Sequence, residues 1–258
     1  MKKLCFAFFL TLNVLLAQEI KIGSENAYKP FAYLDEKGNA TGFDNELVKI
    51  VLSYMPKSEA KFVSVTWNAI FSGLDSAKFD VIANQIAKNK EREAKYLFSK
   101  YPYFYGISAL IAGNNKQIHS FNELKNSKIG VTVGSNHAKN LEDYAKAHPE
   151  LNLQIVYYKT SPSLVSDLAV GRVEAMINDP IAALDYAKAQ NVKITPTKIY
   201  LQETPVFFVF RKDSKALADS FDEALKKAIK EGKVSALIKE YFGEEYAEIL
   251  QKEFDKIQ

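Results

Sequence analysis

Along this chain, short runs of β-branched and aromatic residues alternate with stretches whose apolar positions recur at helical spacing. The runs 20–23, 61–65 and 81–84 read as strands, and helices are predicted between them over 45–54 and 67–76. The same order restarts at 128–133, a strand that runs into Gly134-Ser135-Asn136 and a helix reaching Tyr144. Strand 153–158, helix 163–170, strand 175–178 and helix 181–189 complete the second unit. Such alternation predicts an α/β fold with a mostly parallel sheet flanked by helices, and its repetition predicts two lobes.

Two apolar stretches, 106–112 and 205–210, lie at the joins and lack the composition of a flexible tether. They are expected to be strands that cross between the lobes. Beyond the second, Leu217, Phe221, Leu225 and Ile229 recur every fourth residue, which predicts an amphipathic helix. Gly232 ends it, and Val234, Leu237, Ile238 and Tyr241 form another apolar stripe that stops at Gly243. Both stripes are packing faces, and these helices are expected to return to the first lobe. The division predicted is a first lobe of residues 18–108 with 203–258, and a second of 109–202.

Composition narrows the function classes. With 258 residues, 47% hydrophobic and 25% charged, the chain has the balance of a globular protein and not of a disordered one. Met1-Lys2-Lys3, an apolar run over 4–17 and then Gln18-Glu19 read as a signal peptide that is removed after residue 17. The apolar run falls short of the roughly 20 residues that span a bilayer, and Asn13 interrupts it. Cys5, the only cysteine, sits early in that run and not at the cut, so an unlipidated, cysteine-free mature protein is expected. Loss of Lys2 and Lys3 takes the formal charge from +3 to +1, with no basic cluster to attract nucleic acid. His119, His137 and His148 lack ligand spacing, so neither metal nor cofactor is expected.

Several local patterns coincide in order: Ile22-Gly23-Ser24-Glu25-Asn26-Ala27-Tyr28-Lys29-Pro30-Phe31, Gly42-Phe43-Asp44, Trp67-Asn68-Ala69-Ile70, and Asn84-Gln85 through Glu91-Arg92 to Phe98-Ser99. In the second unit, Ile129 to Asn136, Asp167-Leu168, Gly171 to Ala175 and Asn178-Asp179 continue the series. Together, from Ile20 to Gly243, they resemble the periplasmic solute-binding proteins of family 3, the polar amino-acid-capturing subunits of ABC importers. Asn84-Gln85 and Val170-Gly171-Arg172 before Ala182-Ala183-Leu184-Asp185 are most similar to the cystine- or cysteine-binding branch. The resemblance implies the type II periplasmic binding protein fold, with two crossing strands, and a monomer that works with an inner-membrane permease.

It also implies a set of ligand contacts. A zwitterion removed from water needs both charges met. Arg92 would grip the carboxylate with two parallel charge-assisted bonds, although within the charged run 88–95 an arginine is ordinarily solvated. Asp179 would accept from the ammonium, and it equally suits a helix N-cap before Pro180. Gly134, Ser135 and Asn136 open a helix whose free N–H groups can meet the carboxylate, or simply be capped. Tyr28 and Trp67 correspond to the aromatics that hold the ligand side chain, and Glu25 to an acid near its polar end; Asn84 and Gln85 belong to the same site. Ala87 stands where the family usually carries a hydroxyl residue, so a donor to the carboxylate is missing there unless Asn89 substitutes. Side-chain specificity is expected to involve Glu25, Trp67, Thr132 and Asn178.

The principal expectation is a binding protein and not an enzyme. An alternative on the same fold is a periplasmic dehydratase of cyclohexadienyl substrates such as prephenate, for which Glu25 is the candidate acid. No nucleophile with a partnered base is visible.

Overall fold

A computed structural model describes residues 18–113 and 116–255; the signal peptide expected at 1–17, Cys5 included, lies outside the described residues. The first lobe begins with β1 (Gln18–Glu25), a small antiparallel sheet of β2 (Ala27–Tyr28), β3 (Ala32–Leu34) and β4 (Ala40–Thr41), and helix α1 (Phe43–Ser53). It continues through β5 (Ser58–Val65), α2 (Ile70–Asp75), β6 (Val81–Ala87), α3 (Lys90–Lys95) and β7 (Tyr96–Phe98). β8 (Phe104–Ala112) leads into the second lobe: β9 (Lys128–Thr132), α4 (Asn136–Ala147), β10 (Gln154–Tyr158), α5 (Ser161–Ala169), β11 (Ala175–Asn178) and α6 (Pro180–Ala189). The long β12 (Thr195–Arg211) returns, followed by α7 (Lys215–Lys230), α8 (Lys233–Phe242) and α9 (Glu244–Phe254).

One sheet runs through both lobes in the order β10-β9-β11-β8-β12-β6-β1-β5, with β7 paired to β12. Within each lobe the core pairs are parallel: β1 with β5 and β6, and β9 with β10 and β11. β8 and β12 lie antiparallel at the centre, where Ser108 faces Gln202 and Gly106 faces Thr204. From there β8 goes on to pair with β11, and β12 with β6. The lobes are therefore joined by a hydrogen-bonded ribbon, which keeps the crossing backbone satisfied and stiffer than a tether.

Helices cover both faces, as a mostly parallel sheet requires. On one face an apolar cluster extends across the molecule: α1, α7 and α8 bury Phe43, Phe221 and Ile238 against the first lobe, and α5 and α6 bury Leu164 and Tyr186 against the second. On the other face two clusters stay separate, one around Ile70, Phe79 and Val209, the other around Ile129, Ala138 and Leu141. The rings of Tyr241 and Phe242 on α8 pack against Phe43 on α1.

The strands are longer than their apolar runs because polar ends also pair; Gln18 and Glu19 face Ser58 and Glu59. The helix expected from Trp67 starts with a tighter 3₁₀ turn over Trp67–Ala69 before α2. α9 continues past Gly243, whose φ of 90° turns the chain without ending helical structure.

Candidate functional site

Between the two lobes lies a partly open cavity of about 430 Å³, open solvent included. Glu25, Tyr28, Trp67, Asn84 and Gln85 line it from the first lobe. Thr132, Ser135, Asn136, His137, Ser161 and Asn178 line it from the second. Glu25, Thr132 and Asn178 are the last residues of β1, β9 and β11, so the cavity lies at the carboxyl ends of the parallel strands, where open α/β sheets hold ligands.

The first-lobe wall rests on a buried polar frame. Glu25 donates its backbone N–H to Asn84 Oδ1 at 2.7 Å, and Asn84 Nδ2 donates back to Glu25 Oε2 at 3.4 Å. Burial raises the Glu25 carboxyl to about 7, against the lowering effect of Asn84. Gln85 has φ 51°, a left-handed conformation in mid-strand, beside a shift of register between β6 and β12. Asp44, fully buried at the start of α1, holds that conformation by accepting from Gln85 N at 2.9 Å and from Gln85 Nε2 at 2.6 Å. Gln85 N also reaches Tyr103 Oη at 3.0 Å. Burial lifts Asp44 to about 7 despite its bonds from Gln85 and Tyr103.

The second-lobe wall is built from the opening of α4. Gly134, at φ 72°, turns the chain out of β9. Ser135 then caps α4: its Oγ accepts from Ala138 N at 3.1 Å and donates to Thr132 O at 2.7 Å. That leaves the first-turn N–H groups of Asn136 and His137 for another acceptor. Thr132 Oγ1 and Ser161 Oγ bond each other at 2.8 Å across the strand ends.

Arg92 is 8% exposed, so the charged run around it is not a uniformly solvated face. Asn89 caps α3 by accepting from Arg92 N at 2.8 Å. The guanidinium lies over the Phe71 ring at 4.9 Å and donates from Nη1 to Ala87 O at 2.9 Å. From Nη2 it crosses the cleft to Gly134 O at 2.8 Å. Burial lowers its pKa to about 10, which leaves it cationic at neutral pH. Trp67 makes a parallel crossing: Nε1 donates to Val133 O at 3.0 Å, and its ring meets Phe71 edge to face.

Seven of the expected contacts, Glu25, Tyr28, Trp67, Asn84, Gln85, Ser135 and Asn136, thus converge on one cavity. Arg92 and Gly134 line an adjoining one, which shares Ser135 with the first. Ala87 is buried, with its carbonyl on Arg92. Asp179 is 2% exposed and caps α6 by accepting from Ile181 N and Ala182 N at 2.9 and 3.2 Å; burial raises it to about 6. Asn89 caps α3 through Oδ1 and lines the adjoining cavity beside Arg92, not the central one. His137 and Ser161 were not foreseen in the cavity; a polar residue just past a strand's carboxyl end is the signal that points to such positions. Among the described residues, no three His, Cys, Asp or Glu side chains gather as a metal site. No helix among them is long and apolar enough to cross a membrane.

The profile of the bacterial extracellular solute-binding proteins, family 3, matches residues 20–244. The L-cystine-binding protein TcyJ of Bacillus subtilis (strain 168) is 31% identical over 233 residues, 90% of this chain and 86% of its own. TcyJ of Escherichia coli (strain K12) is 31% identical over 225 residues, 86% and 82% of the two chains. Among solved structures, a putative L-cystine ABC transporter protein from Listeria monocytogenes superposes with a TM-score of 0.77 at 28% identity, covering 89% of this chain and 98% of that one.

Proposed function

The chain belongs to the bacterial extracellular solute-binding proteins, family 3, and from that premise we propose that it captures a polar amino acid for an ABC importer, with cystine or cysteine first among the candidates. The observation that carries this reading is the interlobe cavity, which combines a half-buried acid, Glu25, with the open first turn of α4. Such a site meets an ammonium on one side and a carboxylate on the other. The relatives named as L-cystine-binding proteins support the choice of ligand.

In this reading the ligand carboxylate takes N–H groups of Arg92 that remain after its bonds to Ala87 and Gly134, together with the α4 amides. The ammonium goes to Glu25, while Asp179 caps α6 and does not line the cavity. Ligand favours the closed arrangement only as far as it binds that arrangement more tightly than the open one. The protein works in the periplasm as an unlipidated monomer and hands its cargo to an inner-membrane permease.

The test is thermal unfolding of residues 18–258 against each amino acid and cystine. A ligand at 100 times its dissociation constant adds about 2.7 kcal/mol of stability. Absence of a shift with every one of them defeats the reading. The same preparation is expected to leave prephenate unconverted; formation of phenylpyruvate would make the chain an enzyme.

A further inference from the structure

Ser108, His137 and Asn140 form a polar cluster that the expected ligand contacts leave unused. Ser108 is fully buried on β8, beside the point where that strand begins to pair with β11. Its Oγ accepts from Asn140 Nδ2 at 2.9 Å and lies 2.8 Å from His137 Nδ1. A buried hydroxyl proton needs an acceptor. The Asn140 amide nitrogen offers only a donor, so that acceptor is His137 Nδ1. A ring nitrogen that accepts carries no hydrogen, and the neutral imidazole therefore keeps its proton on Nε2. Burial lowers the pKa of His137 to about 4, which holds the ring neutral at physiological pH.

Nε2 has no hydrogen-bond partner among the described residues, and it is not one of the unpartnered atoms sealed from solvent. It borders open space, and the space His137 lines is the central cavity. We propose that His137 donates from Nε2 to a hydrogen-bond acceptor of the bound amino acid, with Ser108 and Asn140 as positioning residues that fix its tautomer and ring plane. This rests on the amino-acid-binding reading. An N–H donor has nothing to offer an ammonium or guanidinium, so this part of the cavity favours a ligand that turns an oxygen toward His137 on α4.

Two measurements on residues 18–258 test the inference. Long-range ¹H–¹⁵N spectra, with the His137→Gln spectrum identifying the signal, are expected to show the Nε2–H tautomer unchanged from pH 8 to 5. Saturating L-cystine, or the amino acid giving the largest thermal shift, should move the Nε2 resonance and leave Nδ1 in place. In calorimetry, His137→Phe keeps a ring but no N–H and is expected to weaken binding about tenfold or more. His137→Gln, whose amide can accept from Ser108 and donate into the cavity, should recover most of that loss. Ser108→Ala should admit the Nδ1–H tautomer.

An Nδ1–H tautomer in the wild-type chain overturns the inference, as does a folded His137→Phe variant with wild-type affinity. If that variant does not fold, the ligand-induced Nε2 shift decides. A wild-type chain that binds no amino acid defeats the broader reading and this inference with it. Wild-type binding with an unmoved Nε2 resonance defeats this inference alone.

Discussion

The two sides of the cleft meet it with different chemistry. The first lobe sends long side chains across: Arg92 to Gly134 O and Trp67 to Val133 O, both braced on Phe71. The second lobe presents main chain, short polar groups and the His137 ring at the opening of α4. Affinity and closure therefore reside in different groups. Side chains of the first lobe can bind ligand before the cleft shuts, whereas the carbonyls of Val133 and Gly134 engage only once it has.

The largest effect is expected at Arg92. Its guanidinium serves both sides, as the proposed grip on the carboxylate and as the donor to Gly134 O. Hydrogen bonds to charged groups are worth about 1.5 to 3 kcal/mol each. Loss of two takes affinity down about 100-fold or more in Arg92→Ala, measured by calorimetry. Affinity kept within tenfold would place the carboxylate elsewhere.

Next comes pH, which should move binding and ligand-free stability in opposite directions. Glu25 titrates near 7, so below that pH it is neutral and offers an ammonium less. Affinity should fall about tenfold between pH 8 and 6, and Glu25→Gln should flatten that dependence. Asp44 and Asp179 titrate near 7 and 6 in the fold against an ordinary 3.8. Between those values the folded chain holds protons that the unfolded chain releases, so stability falls as pH rises. Each such group contributes at most about 1.4 kcal/mol per pH unit. The melting temperature without ligand should therefore be higher at pH 5 than at pH 8, and Asp44→Asn should reduce the difference.

A smaller change is expected from Trp67→Phe, which keeps an aromatic ring against Phe71 and in the cavity wall but loses the bond to Val133 O. A neutral hydrogen bond is worth about 1 kcal/mol, so affinity should drop about fivefold. Because the lost bond exists only across the closed cleft, small-angle scattering should show a more open ligand-free chain. An unchanged scattering profile would mean that Arg92 alone holds the lobes together.

The sequence made the alternation of strands and helices legible because apolar periodicity reports burial directly. It also pointed to the crossing strands, since 106–112 and 205–210 are too apolar for loops. The frame behind the site was less visible. Asp44 and Gln85 lie 41 positions apart, and nothing local announces that the acid opening α1 will pin a left-handed residue in β6. His137 shows the same limit: on sequence it is a lone histidine after a cap, and only the approach of Ser108, 29 positions earlier, gives it an orientation. Long-range polar pairing leaves no period to read.

Ala87 is the finest probe of the first-lobe wall. The family resemblance implies that a hydroxyl here would help hold the carboxylate, and its absence suggests weakened binding. In the structure Ala87 is buried, does not line the central cavity, and already uses its carbonyl on Arg92 Nη1. Ala87 lines neither the central cavity nor the one that holds Arg92, so a serine hydroxyl added here gains no contact with ligand in this arrangement. Ala87→Ser should therefore change affinity by no more than about twofold, less than a single neutral hydrogen bond provides. A tenfold gain would mean that ligand draws Arg92 away from Ala87 O and brings the carboxylate to that strand end. The first-lobe wall would then rearrange on binding, while the second lobe supplied the fixed surface.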